Sequence, residues 1–184
     1  MYSAKEVKEI AHVVNSINVD QMRATVRSIG RDPATKETWK ATTMWKEDSY
    51  VQTRIREFIM EGDEPDMLLG VGRAPNAVEA TLHALGTCLT TSVAHHAATK
   101  GITIDSLVAD VTGELDLRGY LGLSGDVRPG YQKITLCCRI CADAPSDALK
   151  ELWEHAQRIS PVLDTIRNPV AVSLVLDGNA RTGQ

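Results

Sequence analysis

Residues 75–101, PNAVEATLHALGTCLTTSVAHHAATKG, form the stretch around which the chain is expected to fold. Asn76 followed by Glu79 makes an N-x-x-E capping box, and Gly101 is suited to ending a helix. At about 100° per residue, one face carries bulky apolar side chains and the opposite face small uncharged ones: Val78, Leu82, Leu85, Leu89 and Val93 against Ala80, Ala84, Thr87, Thr91, Ala94 and Ala98. This pattern predicts a central helix covered on both sides, with Cys88 near its middle.

A membrane-spanning helix is the competing interpretation of this stretch, because about 20 residues suffice to cross a bilayer. The run at residues 80–99 holds five threonines, one serine and three histidines. Such polar groups are costly in hydrocarbon. The sequence therefore favours a buried helix in a soluble protein without a membrane partner.

The composition is that of an ordinary globular domain. Of 184 residues, 43% are hydrophobic and 24% charged, the net charge is −4, and no run of basic residues is present. These values give no support for a nucleic-acid partner. The first ten residues lack the apolar core of a signal peptide. A cytoplasmic protein is expected, in which the four cysteines are reduced thiols.

Periodicity predicts an α+β domain with an antiparallel sheet, because most successive strands are joined by short connections. Helices are expected in three segments besides the central one: residues 3–17, 145–158 and 162–167. Strands are expected in six segments: residues 21–29, 37–45, 50–60, 102–118, 131–142 and 169–176. A turn at residues 30–33, a loop at 61–75 and a glycine-rich connection at 119–130 separate them.

Cys88 is either a small buried side chain, which is common for cysteine, or a reactive thiol. A reactive thiol requires a nearby cation, and the spacing of residues does not place one. Glu79 is either only a helix cap or a carboxylate that orients such a cation. Nine residues of helix rotate these two side chains about 180° apart and separate them by roughly 13.5 Å. They can share a site only if two copies of the helix pack together.

The remaining cysteines and the histidines give no further site. Cys137 and Cys138 are adjacent on a strand and face opposite ways, whereas Cys137 and Cys141 share a face about 13 Å apart. That separation is too great for a disulfide or a shared metal ion. No histidine pair has the i, i+4 spacing of HExxH, and no glycine-rich phosphate loop follows a strand. Neither a metal nor a cofactor is predicted.

The segment PNAVEATLHALGTC resembles the P-x(3)-E-x(8)-C signature of the family that includes osmotically inducible protein C (OsmC) and organic hydroperoxide resistance protein (Ohr). The segment AQRISPVLDTI resembles the second motif of that family. The resemblance covers residues 20–178. It leaves residues 1–19 as an N-terminal helical appendage and residues 179–184 as a frayed tail.

The resemblance implies an OsmC-like fold in an intertwined homodimer, with active sites at the interface. Cys88 would be the peroxidatic thiol, and Glu79 would orient an arginine that is donated with it across the dimer. Arg31 is the best match for that arginine, and Arg73 is the alternative. Peroxidase members carry Cys-Pro in the second motif, and that cysteine resolves the sulfenic acid as a disulfide. This chain has Ser160 there instead, which cannot form that disulfide.

Two functions remain open at the level of the sequence, besides a structural dimer of unassigned role. The first is a one-cysteine peroxidase, in which Cys88 reduces an organic hydroperoxide and an external thiol restores it. The second is a non-peroxidase relative that binds a small apolar or thiol ligand at the dimer cleft. The first requires an accessible and reactive Cys88, and the second an inert one.

Overall fold

Two antiparallel sheets, a short hairpin and five helices make up residues 12–32 and 35–178, which are the residues that the computed structural model describes. The strands are β1 (Val13–Val14), β2 (Ile17–Asn18), β3 (Thr42–Glu47), β4 (Tyr50–Ile55), β5 (Phe58–Gly62), β6 (Ile104–Glu114) and β7 (Lys133–Ala142). The helices are α1 (Val19–Ile29), α2 (Ala77–Thr99), α3 (Leu117–Tyr120), α4 (Ser146–Ile159) and α5 (Pro161–Arg167), with a 3₁₀ turn at Asp66–Leu68.

The predicted central helix is α2, and it begins where the capping box places it. The Asn76 side chain accepts a hydrogen bond from the Glu79 amide at 3.0 Å, and the Asn76 amide donates to the Glu79 carboxylate at 2.9 Å. The helix ends before Gly101, whose φ of 72° suits a residue without a side chain. Among the described residues, no helix has both the length and the apolar character needed to cross a membrane.

The bulky face of α2 forms the core of the domain. Leu85, Leu89 and Val93 are at most 3% exposed, and they pack with Ala156 of α4 and Leu163 of α5. The β6–β7 sheet, antiparallel as expected, contributes half-buried side chains to the same cluster: Ile104, Leu107, Val111, Ile134, Leu136 and Ile140. One sheet and two helices therefore cover this side of α2.

The opposite face of α2, with its small residues, is only partly covered by the chain itself. Thr87 and Thr91 are exposed, and Ala84 and Ala94 are half-buried. A groove of about 370 Å³ lies between this face and β6. The sequence predicts that both faces of α2 are covered. Within this chain, mainly the bulky apolar face is covered.

The three strands that follow α1 form a separate antiparallel sheet in the order β3–β4–β5. The strand predicted at residues 50–60 is in fact a hairpin, because Arg56 adopts a left-handed φ of 54° and reverses the chain between β4 and β5. Trp45, Phe58 and Met60 are exposed on this sheet. A cavity of about 460 Å³ separates the sheet from the beginning of α2.

The strand predicted at residues 21–29 is wrong, since this segment is helix α1. Asn18 caps it by accepting a hydrogen bond from the Gln21 amide at 2.9 Å. The apolar residues Val19, Met22 and Val26 recur at spacings of three and four, which is helical. The alternation of side chains that favoured a strand is compatible with both periods, and the cap decides between them.

The helix predicted at residues 3–17 lies mostly outside the described residues, as do part of the turn at 30–33 and the tail at 179–184. The described part of that helix is instead the β1–β2 hairpin. Asn15 and Ser16 both have positive φ, 53° and 61°, as a two-residue hairpin turn requires. The Asn15 side chain also donates to the Ile102 carbonyl oxygen and accepts a hydrogen bond from the Ile104 amide. These two bonds fix the hairpin beside the end of α2.

The strand predicted at residues 169–176 is also wrong for the described chain, because these residues form no ladder with another segment. Val172, Leu174 and Leu176 are 75%, 90% and 94% exposed. Alternating apolar residues favour a strand, but a strand forms only where an edge is available to pair with. No described edge of this chain pairs with the segment.

Candidate active site

Cys88 lies near the middle of α2, and its side chain is half-buried. Its Sγ is 3.1 Å from the Oγ of Ser160, which lies 72 residues further along the chain. Ser160 is 2% exposed. The structure therefore brings a thiol and a hydroxyl into hydrogen-bond contact at the border of the core.

Ser160 reaches Cys88 because the chain breaks between α4 and α5 at this residue. Pro161 disfavours helical backbone at the residue before it, and Ser160 is extended, with φ −73° and ψ 110°. Its Oγ also accepts a hydrogen bond from the Leu163 amide at 3.2 Å, which caps α5. Leu152 of α4 and Leu163 are buried on either side of this break. Packing of both helices thus holds the Ser160 hydroxyl against α2.

Glu79 lies at the first turn of the same helix and does not contact Cys88. Because α2 is continuous over Ala77–Thr99, the two side chains point to opposite sides and are separated by roughly 13.5 Å along the axis. The Glu79 carboxylate bonds the Asn76 amide in the capping box. Asn76 in turn donates to Glu64, which also accepts a hydrogen bond from Tyr120. Glu79 is therefore fixed at the start of the helix.

Arg31 follows α1 and is exposed. Its backbone amide donates to the Ser28 carbonyl oxygen at 3.2 Å. In the part of the chain that the structure describes, the Arg31 guanidinium makes no hydrogen bond or ion pair with Cys88. Among the described residues of one chain, no hydrogen bond or ion pair thus joins any two of Cys88, Glu79 and Arg31.

Arg73, the alternative to Arg31, is held at the three-stranded sheet. Its Nη1 is 2.7 Å from a Glu47 carboxylate oxygen, and its Nε is 3.9 Å from the buried carboxylate of Asp63. Its guanidinium also lies over the Tyr50 ring, 4.8 Å from the centroid. The hydrogen bond that Arg73 donates to Glu47 raises the pKa of Arg73. Its charge is therefore engaged within this chain.

Comparison with known proteins identifies the fold and the family. The sequence profile described as OsmC-like protein matches residues 70–175, which is more than half of the chain and includes both Cys88 and Ser160. The chain belongs to the OsmC-like protein family. No match is found among curated protein sequences.

Solved structures of OsmC-like proteins share the fold at low sequence identity. An OsmC-like protein from Mycoplasma pneumoniae has 21% identity and a TM-score of 0.63, with 73% of this chain and 91% of that chain covered. An OsmC-like protein of unknown function from Vibrio cholerae has 14% identity and a TM-score of 0.60, with 71% of this chain and 94% of that chain covered. An organic hydroperoxide resistance protein OsmC from Legionella pneumophila has 17% identity and a TM-score of 0.53, with 71% of this chain and 90% of that chain covered.

The other three cysteines of this OsmC-like chain lie on β7 and not on α2. Cys137 and Cys141 are exposed on the outer face, whereas Cys138 points inwards and is half-buried. Burial raises the pKa of the Cys138 thiol. All four cysteines are free thiols, and the described residues contain no cluster of three or more His, Cys, Asp and Glu side chains suited to a metal ion.

A cavity of about 380 Å³ adjoins α2 at Leu85 and Leu89, and its largely apolar walls also include the polar side chains of Gln157 and Arg167. Leu85 and Leu89 form its wall on α2, and Trp153, Gln157 and Leu163 form its wall on α4 and α5. This cavity could not be predicted from the sequence, because its walls come from segments that are far apart in the chain. A small apolar molecule has the size and character to occupy it.

A second feature missed by sequence reasoning is a stacked histidine pair between α2 and α4. The rings of His96 and His155 are nearly parallel, with centroids 3.7 Å apart. The pKa of His96 is lowered, mainly by burial and secondly by the charge of the neighbouring His155. The two residues are 59 positions apart, so only the packing of the helices reveals their contact.

Proposed function

We propose that this protein is a one-cysteine thiol peroxidase that reduces organic hydroperoxides. The observation that carries the proposal is the contact of 3.1 Å between Cys88 Sγ and Ser160 Oγ, within a domain of the OsmC-like family. This contact joins the cysteine of the first motif to the second-motif position, where a serine replaces the resolving cysteine. A structural neighbour described as an organic hydroperoxide resistance protein adds support for the substrate class.

The proposed reaction begins with attack of the Cys88 thiolate on one peroxide oxygen. The S–O bond forms as the O–O bond breaks, and the alkoxide leaves as an alcohol after taking up a proton. Cys88 is then a sulfenic acid. A first external thiol attacks its sulfur and releases water, which gives a mixed disulfide. A second external thiol restores Cys88 and leaves as a disulfide with the first.

We propose that the active form is a homodimer. The partly covered face of α2 supports it, with Thr87 and Thr91 exposed. So does the apolar segment at residues 169–178, whose side chains face solvent in the single chain. A second copy can cover both surfaces. It can also bring its Arg31 and Glu79 to Cys88, which resolves the separation of these residues within one chain.

The proposal is tested by treating the purified protein with stoichiometric cumene hydroperoxide at several pH values and following loss of the Cys88 thiol. A sulfenate-specific probe and peptide mapping then locate the oxidised residue. We expect rapid labelling of Cys88, with Cys137 and Cys141 as internal controls because both are exposed and lie on another element. Labelling of the three thiols at equal rates would refute a specific peroxidatic role for Cys88.

A non-peroxidase relative that binds a small apolar or thiol ligand at the dimer cleft is the second candidate. The cavity beside Leu85 and Leu89 favours it, because its volume of about 380 Å³ suits a small molecule and its walls are largely apolar, with Gln157 and Arg167 as polar groups. In that case Cys88 would remain a thiol in the presence of hydroperoxide. Cumyl alcohol, which has the shape of the substrate but no peroxide bond, would bind and raise the melting temperature without chemical change.

A further inference from the structure

The hydrogen bonds of the Ser160 hydroxyl determine where its proton can go. A serine hydroxyl has one proton to donate and two lone pairs that accept. The Leu163 amide occupies one lone pair at 3.2 Å. The remaining hydrogen-bond contact of Oγ among the described residues is Cys88 Sγ, at 3.1 Å. The proton of Ser160 is therefore available to the sulfur.

We propose that Ser160 is a catalytic residue that donates a hydrogen bond to the Cys88 thiolate. This inference rests on the proposed function, in which Cys88 is the reactive thiol. Ser160 would thus keep a role at the resolving position although it cannot form a disulfide. It supplies a donor from within the same chain, in addition to any cation that a second copy provides.

The physical basis is the difference between the two protonation states of Cys88. When the sulfur is a thiol, either atom can donate and the bond joins two neutral groups. When the sulfur is a thiolate, only the hydroxyl can donate, and a hydrogen bond to an ion is roughly twice as strong. Ser160 is 2% exposed, so water competes little for its proton. The contact therefore stabilises the thiolate more than the thiol.

The consequence for the reaction is a larger fraction of thiolate at neutral pH. Each thiolate becomes somewhat less nucleophilic as it is stabilised, but the reaction gains as long as the thiolate is the minor form. Once the sulfur has taken an oxygen, it is no longer an anion and the charge-assisted bond is lost. The contribution of Ser160 is thus specific to the state that attacks the peroxide.

The test measures the rate of Cys88 alkylation by iodoacetamide against pH, with peptide mapping to separate the four thiols. Ser160→Ala removes the hydroxyl and the helix cap together. Ser160→Gly removes the hydroxyl but keeps most of the capping preference, since glycine is tolerated at the N-cap far better than alanine. We expect both variants to move the midpoint of the profile upwards by about one pH unit.

The matched control is Thr165→Ala. Thr165 is exposed on α5, and its hydroxyl donates to the Pro161 carbonyl oxygen at 2.8 Å, so the variant removes a hydroxyl hydrogen bond from the same helix but no contact with Cys88. Its midpoint should equal that of the parent. If the glycine variant keeps the parental midpoint, Ser160 is only a cap and the inference is wrong. The glycine variant decides the question even if the alanine variant fails to fold.

This experiment separates the inference from the proposed function, because alkylation requires no hydroperoxide. A midpoint that depends on Ser160 in a protein inert to cumene hydroperoxide would refute the peroxidase and keep the hydrogen bond to the thiolate. If the midpoint is independent of Ser160 in a protein that consumes the hydroperoxide, the hydrogen bond to the thiolate is refuted and the peroxidase is kept.

Discussion

At the level of single residues, the proposed chemistry depends on the contact of 3.1 Å between Cys88 Sγ and Ser160 Oγ. Spacing alone could not predict this contact, because the two residues are 72 positions apart and meet only through the packing of α4 and α5 on α2. Helical arithmetic did correctly separate Glu79 from Cys88. It depends only on one continuous helix, which the capping box and glycine stop predicted.

Replacing Ser160 with cysteine should supply the resolving thiol that the second motif lacks. The Oγ that the new sulfur replaces is already 3.1 Å from Cys88 Sγ, so a small movement reaches the bond length of about 2.05 Å. A thiol held at this site acts at high effective concentration. One equivalent of hydroperoxide should therefore produce a disulfide, and turnover with a dithiol should exceed that of the parent. Mass spectrometry under thiol-blocking conditions detects the bond.

Accumulation of sulfinic acid at Cys88 without a disulfide would show that residue 160 is not at the resolving position in solution. The parent protein is the control, because serine at the same position cannot form the bond. Cysteine is a poorer helix cap than serine, and a loss of about 1 kcal/mol in the free energy of unfolding is expected alongside.

Arg31 is expected to act on Cys88 through its positive charge. A cation near the sulfur favours the thiolate, so Arg31→Met should slow consumption of the Cys88 thiol by cumene hydroperoxide about tenfold near neutral pH. Arg73→Met is the matched comparison. It removes the contacts to Glu47 and Asp63, and should lower the free energy of unfolding while the rate stays near that of the parent. If Arg73→Met slows thiol consumption and Arg31→Met leaves it near the parental rate, the role belongs to Arg73.

At the scale of elements, the sequence predicted those that carry their own start and stop signals. The helix α2 has both, and α4 begins where Pro145 places it. The strand expected at residues 21–29 proved to be α1, because a short segment of alternating side chains fits either period and the deciding hydrogen bond is the one that Asn18 accepts from the Gln21 amide. Periodicity therefore predicts a short element well only when the capping residues at its ends are considered with it.

Asn76 should contribute measurably to the stability of α2. Its side chain accepts from the Glu79 amide and donates to Glu64, and it is 7% exposed. Asn76→Ala should lower the free energy of unfolding by about 1–2 kcal/mol. Asn76→Ser keeps the cap and loses only the bond to Glu64, so a smaller loss is expected. Urea denaturation of both variants measures the difference, and equal losses would show that the cap contributes little.

The packing of α4 on α2 should weaken in mild acid because of the stacked histidines. The pKa of His96 is lowered from 6.5 by burial and then by His155, Lys100 and Arg158, with Glu151 opposing them. The unfolded chain therefore binds more protons than the folded one just below pH 6.5. Stability from this group is fully present above pH 6.5 and is lost as the pH falls towards the folded pKa. The free energy of unfolding, measured from pH 7.5 to 5, should decline.

His96→Gln is the variant that tests this source of the pH dependence. Glutamine is also planar at its end and polar but does not titrate, so the decline between pH 6.5 and 5 should become shallower. His83→Gln is the control, since His83 is exposed on α2, away from the pair. An unchanged slope in the His96 variant would place the pH dependence elsewhere.

At the scale of the whole molecule, the single chain leaves apolar surface exposed in several places. Residues 169–178 make no strand, the β3–β5 sheet exposes Trp45 and Phe58, and one face of α2 is partly open. The sequence predicted the final strand from its alternation, and none of the described strands pairs with it. Alternation of apolar residues indicates that a segment can form a strand. The strand edge with which it pairs can belong to another copy of the chain.

The last prediction concerns how the active site is divided between two copies. Cys88→Ser has no peroxidatic thiol, and Arg31→Met keeps the thiol but lacks the cation. If the arginine acts across a homodimer, mixing the two variants with exchange of subunits places Cys88 of one opposite Arg31 of the other. Half of the mixed dimers' sites then regain the parental rate of thiol oxidation. Sedimentation should show a dimer at micromolar concentration, with an interface of the order of 2,000 Å² or more. A mixture that keeps the slow rate of Arg31→Met after verified exchange would refute a shared site, and a folded monomer would refute the dimer itself.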